Sequence, residues 1–347
     1  MEAGQIKVRP QQKVRKDQGI VMEFVLGGVA AAGAGFLTNP LDVVKTRIQL
    51  QGELQNRGSY KVHYRNTLHA CYVIAKHDGL MALQSGIGPA LWFQFVMNGT
   101  RLGCYSIMDS FELTRSSDGS LCFPKTVVCG ALSGAMGSFF ASPLYLVKTQ
   151  IQSRSLSEIA VGFQHQHSNM SQAFVSIYRK EGFFALWRGA NAAMVRVSAG
   201  SAIQLSTFSN IRDKIIENET MAHYPNLATL AASFFAGIGL CLVMTPFDVV
   251  CTRLYNQGLD PVTKRGLFYS GLLDCFVKMF KTEGCWGFYK GVGASYIRLG
   301  PHTMLTMMFW VNLKEQYAKL TEEYKFLAWT QLSASAPDRH QPETGVH

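Results

Sequence analysis

Asp42 and Lys45 stand three residues apart, directly after Pro40, at the end of an apolar, glycine-rich run. Charges in such a run are costly, so they are either paired or functional. On a helix, residues three apart share a face, so an acid there can meet a base on a neighbouring helix. The same slot recurs as PLDVVKTRIQ at 40, PLYLVKTQIQ at 143 and PFDVVCTRLY at 246. It keeps Lys148 in the second copy and Asp248 in the third, with Tyr145 and Cys251 where a charge is missing. A second set of charges, Arg101, Arg196 and Arg298, lies in other apolar runs. Phe93, Arg196 and Arg298 fall seven residues after Gly86, Gly189 and Gly291, and Arg101, Gln204 and Thr306 fall eight further on. With ~3.6 residues per turn, these positions share one face. No acid accompanies the arginines in their own runs, so they are expected to be uncompensated. Guanidinium groups in that arrangement suit bidentate binding of a dicarboxylate or a sulfur oxoanion, with Gln94, Asn98, Gln204 and His302 adding hydrogen bonds. No nucleophile, general base pair or cofactor loop is visible, which argues against an enzyme.

The elements that must position these residues repeat. Pro40, Pro143 and Pro246 are 103 residues apart at each step, and Asp78-Gly79, Glu181-Gly182 and Glu283-Gly284 keep almost the same beat, as do Gly86, Gly189 and Gly291. Each copy has an apolar run ending at the proline, a polar loop, a short amphipathic stretch and a second apolar run. That predicts six spans, long enough for ~30 Å of hydrocarbon. Small residues at Gly27/Ala31, Gly130/Gly134 and Ser233/Gly237 have the spacing that lets helices approach closely in lipid.

Composition agrees: 16% of residues are charged and 48% hydrophobic, against roughly 25% charged in an average soluble chain. The net charge of +10 is not gathered into a stripe, so no nucleic-acid partner is expected. Eight cysteines and nine histidines show no metal-binding spacing, and no cofactor or metal is expected. The basic N-terminus reads as a solvated tail, and the end, SASAPDRHQPETGVH, as disordered.

Three repeats opening P-x-[D/E]-x-x-[K/R] resemble the mitochondrial carrier family, also called solute carrier family 25. Overall the chain is most similar to its oxaloacetate carrier branch, which includes members 34 and 35. The resemblance implies an all-α membrane bundle of six transmembrane helices with threefold pseudosymmetry and three short matrix helices. It divides the chain into a basic tail 1–17, repeats at 18–115, 120–216 and 224–318, and a disordered tail 319–347. It also implies a multi-pass protein of the mitochondrial inner membrane with both termini in the intermembrane space, acting as a monomer with cardiolipin and membrane lipid as partners.

The resemblance further implies roles. The matrix gate would hold the pairs Asp42–Lys148 and Asp248–Lys45, with an uncharged third position, Tyr145–Cys251. Gln49, Gln152 and Tyr255 would brace the ion pairs by hydrogen bonds. On the cytoplasmic side the family's three acids are missing, so at most Asp109 would pair with Arg212 or Lys314. Trp187-Arg188-Gly189 and Tyr289-Lys290-Gly291 are similar to the family's cardiolipin sites. Arg196 and Arg298 match its substrate contact points, and Arg196-Val197 is nearer to carriers of carboxylates than of nucleotides or amino acids. The expected cargo is a small anionic metabolite, exchanged by alternating access. The competing readings are a proton-leak carrier and a non-transporting member with a structural role.

Overall fold

The computed structural model describes residues 20–56, 58–116, 122–167, 169–201, 225–260, 263 and 265–335. Nine helices are described: α1 Ile20–Leu50, α2 Thr67–His77, α3 Ile87–Ser110, α4 Phe123–Ser153, α5 Met170–Glu181, α6 over 190–201, α7 Pro225–Asn256, α8 Leu272–Glu283 and α9 Val292–Ser335. Four segments are long and apolar enough to cross a membrane, at Met22–Leu50, Leu80–Ser110, Phe123–Ser153 and Gly237–Asn256. The other two expected spans are α6, described as far as 201, and α9.

Pro40, Pro143 and Pro246 lie inside α1, α4 and α7. A proline removes one helical N–H and clashes with the preceding turn, so the residue before it needs support. Asn39, Ser142 and Thr245 hold these positions and are completely buried. Asn39 Nδ2 donates to Gln84 Oε1 at 3.0 Å, Ser142 Oγ is 2.8 Å from the Tyr255 hydroxyl, and Thr245 Oγ1 donates to Cys241 O at 2.6 Å. A side-chain bond thus anchors the residue before each proline, to another element at Asn39 and Ser142 and within α7 at Thr245, and at Pro143 the carbonyl left without its helical donor, that of Phe139, accepts from Trp187 Nε1.

The short helices α2, α5 and α8 each bury one stripe: Ala70 and Ile74, Ala173 and Ile177, Cys275 and Met279. The four-residue spacing puts each pair on one face. These stripes join cores built on α1 and on α4 with α7. After each short helix comes a glycine at positive φ, Gly79 at 88°, Gly182 at 91° and Gly284 at 67°. The glycines that start α3, α6 and α9 do the same, Gly86 at 68°, Gly189 at 87° and Gly291 at 78°. Only glycine visits this region cheaply, which is why both sets keep the repeat.

One expectation needs correcting. The stretch from 319 was expected to be disordered, but α9 continues to Ser335. Residues 319–335 are rich in Lys, Glu, Leu and Ala and contain neither Gly nor Pro. Nothing there stops a helix. The boundaries expected at residues 17 and 216–224, and everything beyond 335, lie outside the described residues.

Candidate functional site

The ends of α1, α4 and α7 beyond their prolines bring four buried or nearly buried charges together, and one arginine each from α6 and α9 joins them. Lys148 Nζ lies 2.8 Å from Asp42 Oδ2, and Lys45 Nζ lies 2.8 Å from Asp248 Oδ2. At the third position Tyr145 packs against the cluster containing Cys251, its ring 4.8 Å from that of Tyr255 in an edge-on arrangement. Phe93 closes on Tyr145 from α3, with ring centroids 5.0 Å apart. Aromatic packing fills the place that an ion pair holds at the other two junctions.

The arginines overturn one expectation. Arg196 and Arg298 are not uncompensated: Arg196 Nη1 lies 3.1 Å from Asp248 Oδ1, and Arg298 Nε is ion-paired with Asp42 Oδ1. Each carboxylate therefore offers one oxygen to a lysine and the other to an arginine. The acids come from α1 and α7, whereas the arginines stand on α6 and α9. A search for acids along the arginines' own helices could not have found them. Arg196 also lies over the Tyr145 ring, 5.8 Å from its centroid. Among the described residues the ring holds four cations against two carboxylates, an excess of two positive charges. The Nε of Arg196 is buried and makes no hydrogen bond there, whereas the Nε of Arg298 faces Asp42. An unsatisfied buried donor is costly, and an anion would satisfy it.

Arg101 stands apart. Its Nη2 donates to Ser201 Oγ at 3.4 Å. Asp109 instead accepts from Thr114 Oγ1, and Lys314 is ion-paired with Glu23 of α1. The expected contact between Asp109 and Lys314 is therefore not formed, because both groups are satisfied nearer by. Arg212 and Gln204 lie outside the described residues. Val197 is buried with Phe93, Met97 and Ala141, its Cγ1 2.7 Å from where a Cβ on Gly134 would stand. It is a packing residue, so its lack of polarity says little about cargo.

Gln94, Asn98 and His302 form one chain of contacts with Thr38. His302 Nδ1 is 3.1 Å from Thr38 Oγ1, its Nε2 is 3.3 Å from Gln94 Nε2, and Asn98 Nδ2 donates to Gln94 Oε1 at 3.0 Å.

The three expected braces also need correcting, since none has a hydrogen bond to an ion pair. Gln152 Nε2 donates to Asn39 Oδ1 at 3.0 Å, Tyr255 meets Ser142, and Gln49 Oε1 accepts from Thr252 Oγ1 at 2.8 Å. The first two tie the residue before a proline to the following repeat. Each brace also packs on a repeat glycine. A Cβ on Gly86 would stand 3.1 Å from Gln152, on Gly189 3.2 Å from Tyr255, and on Gly291 3.3 Å from Gln49. Those contacts run from repeat one to two, two to three and three to one, closing the bundle on itself.

Sequence spacing missed a further layer. The acid before each repeat glycine pairs with an arginine seven residues after the proline: Arg47 with Asp78 at 2.5 Å, and Arg253 Nη2 with Glu283 Oε2 at 2.9 Å. The second repeat has Gln150 at that position, and Glu181 turns to Arg188 at 3.2 Å instead. The recurring Asp/Glu and Arg of the repeats were the signal for these pairs. Of the remaining candidates, Trp187 Nε1 donates to Phe139 O, while Lys290 reaches Gln51 O, Gly52 O and Glu283. Tyr289 is partly exposed, and Gly189 and Gly291 turn the chain into α6 and α9.

Glu53 lies just past α1, among Arg253, Glu283, Lys290 and Tyr269, and borders a cavity of about 500 Å³ that also contains Tyr60, Lys61, His63 and Gln164. The cavity holds none of the six ring charges. Burial first, and then the Glu283 carboxylate, push the Glu53 carboxyl up to about 7, against the pull of Arg253 and Lys290. The folded chain thus holds a proton there that the unfolded chain has already lost. Stability must fall as pH rises from about 4.5 to about 7. Glu53→Gln should flatten that fall and be more stable than the parent at pH 8, by on the order of 1–3 kcal/mol, since one pKa unit is ~1.4 kcal/mol. Thermal melts across pH 5–8 measure it.

A family profile described as "Mitochondrial carrier protein" matches residues 16–115, 119–219 and 222–320. Solute carrier family 25 member 35 of Mus musculus is 49% identical over 296 residues, covering 85% of this chain and 98% of that protein. The mitochondrial oxaloacetate transport protein of Saccharomyces cerevisiae is 38% identical over 316 residues, 88% of this chain and 91% of its own. The mitochondrial citrate transporter E of Aspergillus niger is 38% identical over 309 residues, 88% and 96% respectively. Three matched repeats in register with the three bent helices, and relatives aligned over nearly their whole length, place the chain in the mitochondrial carrier family, as a membrane transporter and not an enzyme.

Proposed function

We propose that this protein is an antiporter of the mitochondrial inner membrane that exchanges small dianions, dicarboxylates such as oxaloacetate or malonate and sulfur oxoanions, by alternating access. The excess of two positive charges in the ring carries this reading. A dianion is the species that neutralises it. The names of the yeast and Aspergillus relatives point to carboxylate cargo as well.

The six-charge ring acts as the matrix gate. Arg196 and Arg298 hold the gate carboxylates in the empty carrier, and a bound dianion competes for the same guanidinium groups. Two carboxylates of cargo then replace Asp248 and Asp42, and the freed acids no longer tie α7 and α1 to the even-numbered spans. Cargo binding thereby favours the intermediate in which the gate is loosened. Without cargo, opening leaves buried charges unpaired, at several kcal/mol, so net movement is slow and exchange fast. Arg101, with Ser201 as its partner, receives the anion on its way in, and Gln94 and Asn98 orient it. The turns at Trp187-Arg188-Gly189 and Tyr289-Lys290-Gly291 bind cardiolipin at the starts of α6 and α9, where backbone N–H groups favour phosphate. The monomer is the working unit, with both termini in the intermembrane space.

A thermal-shift screen of purified protein tests the reading. Malonate, oxaloacetate or thiosulfate should raise the melting point, by the equivalent of ~2.7 kcal/mol at a hundred times Kd. Arg196→Ala and Arg298→Ala should remove the shift. Both variants leave each carboxylate its lysine, so the fold survives. A shift with ATP alone would refute the cargo class.

A further inference from the structure

We propose that His302 takes up a proton when the dianion binds, so that anion and proton cross together. This rests on the dianion reading and adds a second cargo to it. The hydrogen-bond polarity around the ring carries the inference. Thr38 Oγ1 donates its hydrogen to Ala34 O at 2.9 Å, so towards His302 Nδ1, 3.1 Å away, it can only accept. Nδ1 must therefore carry a hydrogen. On the other side, Gln94 Oε1 accepts from Asn98 Nδ2 at 3.0 Å, which turns the Gln94 amide nitrogen towards His302 Nε2 at 3.3 Å. That nitrogen donates, so Nε2 must be a bare acceptor. Both ring nitrogens are assigned by their partners, and the imidazole is neutral in the empty carrier.

Protonating Nε2 sets two donors against each other. The conflict is relieved only if the Gln94 amide turns over and gives up Asn98, or if an anion oxygen comes between them. The charges facing His302 set the direction. They are Arg298 from its own helix α9, Asp42 from α1 and Lys148 from α4; the α3 groups beside it, Gln94 and Asn98, are neutral. In the empty carrier the excess of two positive charges nearby opposes an imidazolium. A bound dianion cancels that excess and supplies an acceptor for Nε2–H. The proton comes from the buffer acid in solution by way of water in the vestibule, the buffer keeping its conjugate base; it forms one N–H bond and leaves when the anion does. Histidine is the side chain whose charge is most readily switched near neutral pH by such a change.

The test is isothermal titration of purified protein with malonate at pH 7, in buffers of different ionisation enthalpy. The slope of binding heat against buffer enthalpy counts the protons. About one proton per malonate is expected for the wild type, and none for His302→Gln, whose fold is checked by its melting point. In proteoliposomes loaded with a pH-sensitive dye and no internal anion, the slow net entry of oxaloacetate should acidify the lumen with the wild type and not with His302→Gln, whereas exchange, which returns one proton with each anion, should leave the lumen pH unchanged. Malonate binding by the wild type without proton uptake overturns the proposal, whatever the variant does. Equal uptake by wild type and variant moves the proton to another group and also overturns it. If malonate does not bind at all, the dianion reading fails, and this inference fails with it.

Discussion

Asp42→Asn is expected to cost about 3–5 kcal/mol of stability and to reduce anion counterflow in liposomes to background. Asp42 is the shared partner of two cations, Lys148 at 2.8 Å and Arg298 through its other oxygen. Asparagine keeps the shape and removes the charge, leaving both cations buried with no counter-charge and the ring with four positive groups against one negative. Lys148→Gln removes the other half of the same pair, but Asp42 still holds Arg298, and the ring's excess falls rather than rises. Its cost should therefore be smaller, about 1–2 kcal/mol, closer to a lost charged hydrogen bond. The order of the two melting points is the measurement. Equal losses would show that the contact between Asp42 and Arg298 has no energetic weight, and with it the competition between cargo and gate.

That contact also marks where the sequence stops being readable. The slot for an acid and a base three residues apart, recurring every 103 residues with at least one charge kept, showed which residues share a helix face, and the resemblance to the carrier family supplied which helices meet. The loss of charge at both Tyr145 and Cys251 pointed to one junction for the same reason. Spacing along a helix says nothing about how far a side chain reaches across to another. Arginine has a long flexible stem, and Arg196 and Arg298 reach carboxylates on other helices that no periodicity links to them. The braces failed differently. Gln152 and Tyr255 were placed correctly along their helices, but the groups they satisfy are Asn39 and Ser142, polar residues buried because a proline follows each of them. The glycines on which they pack were visible as a beat in the sequence, and their backbone geometry supplies the cause.

The uncharged junction yields the other large effect. Cys251→Lys alone adds a fifth cation to a fully buried position beside Arg196 and Lys45. Among the described residues of the ring both carboxylates are already paired, and a cost of about 3–5 kcal/mol is expected. Tyr145→Asp alone loses its ring contacts with Phe93 and Tyr255, each worth ~0.5–1.5 kcal/mol. The new acid would be partly offset by Arg196, which lies over that ring. Combined, the two substitutions restore the ring's excess of two and create a third ion pair. The double variant should be more stable than the sum of the single changes by about 0.5–3 kcal/mol. It should also exchange anions more slowly than the parent, roughly tenfold for every ~1.4 kcal/mol that the new pair adds to gate opening. Melting points and initial counterflow rates of the four proteins measure both. A double variant no more stable than the sum of the two single changes would mean that the two positions do not meet. One that exchanges as fast as the parent would mean that this junction does not open during transport.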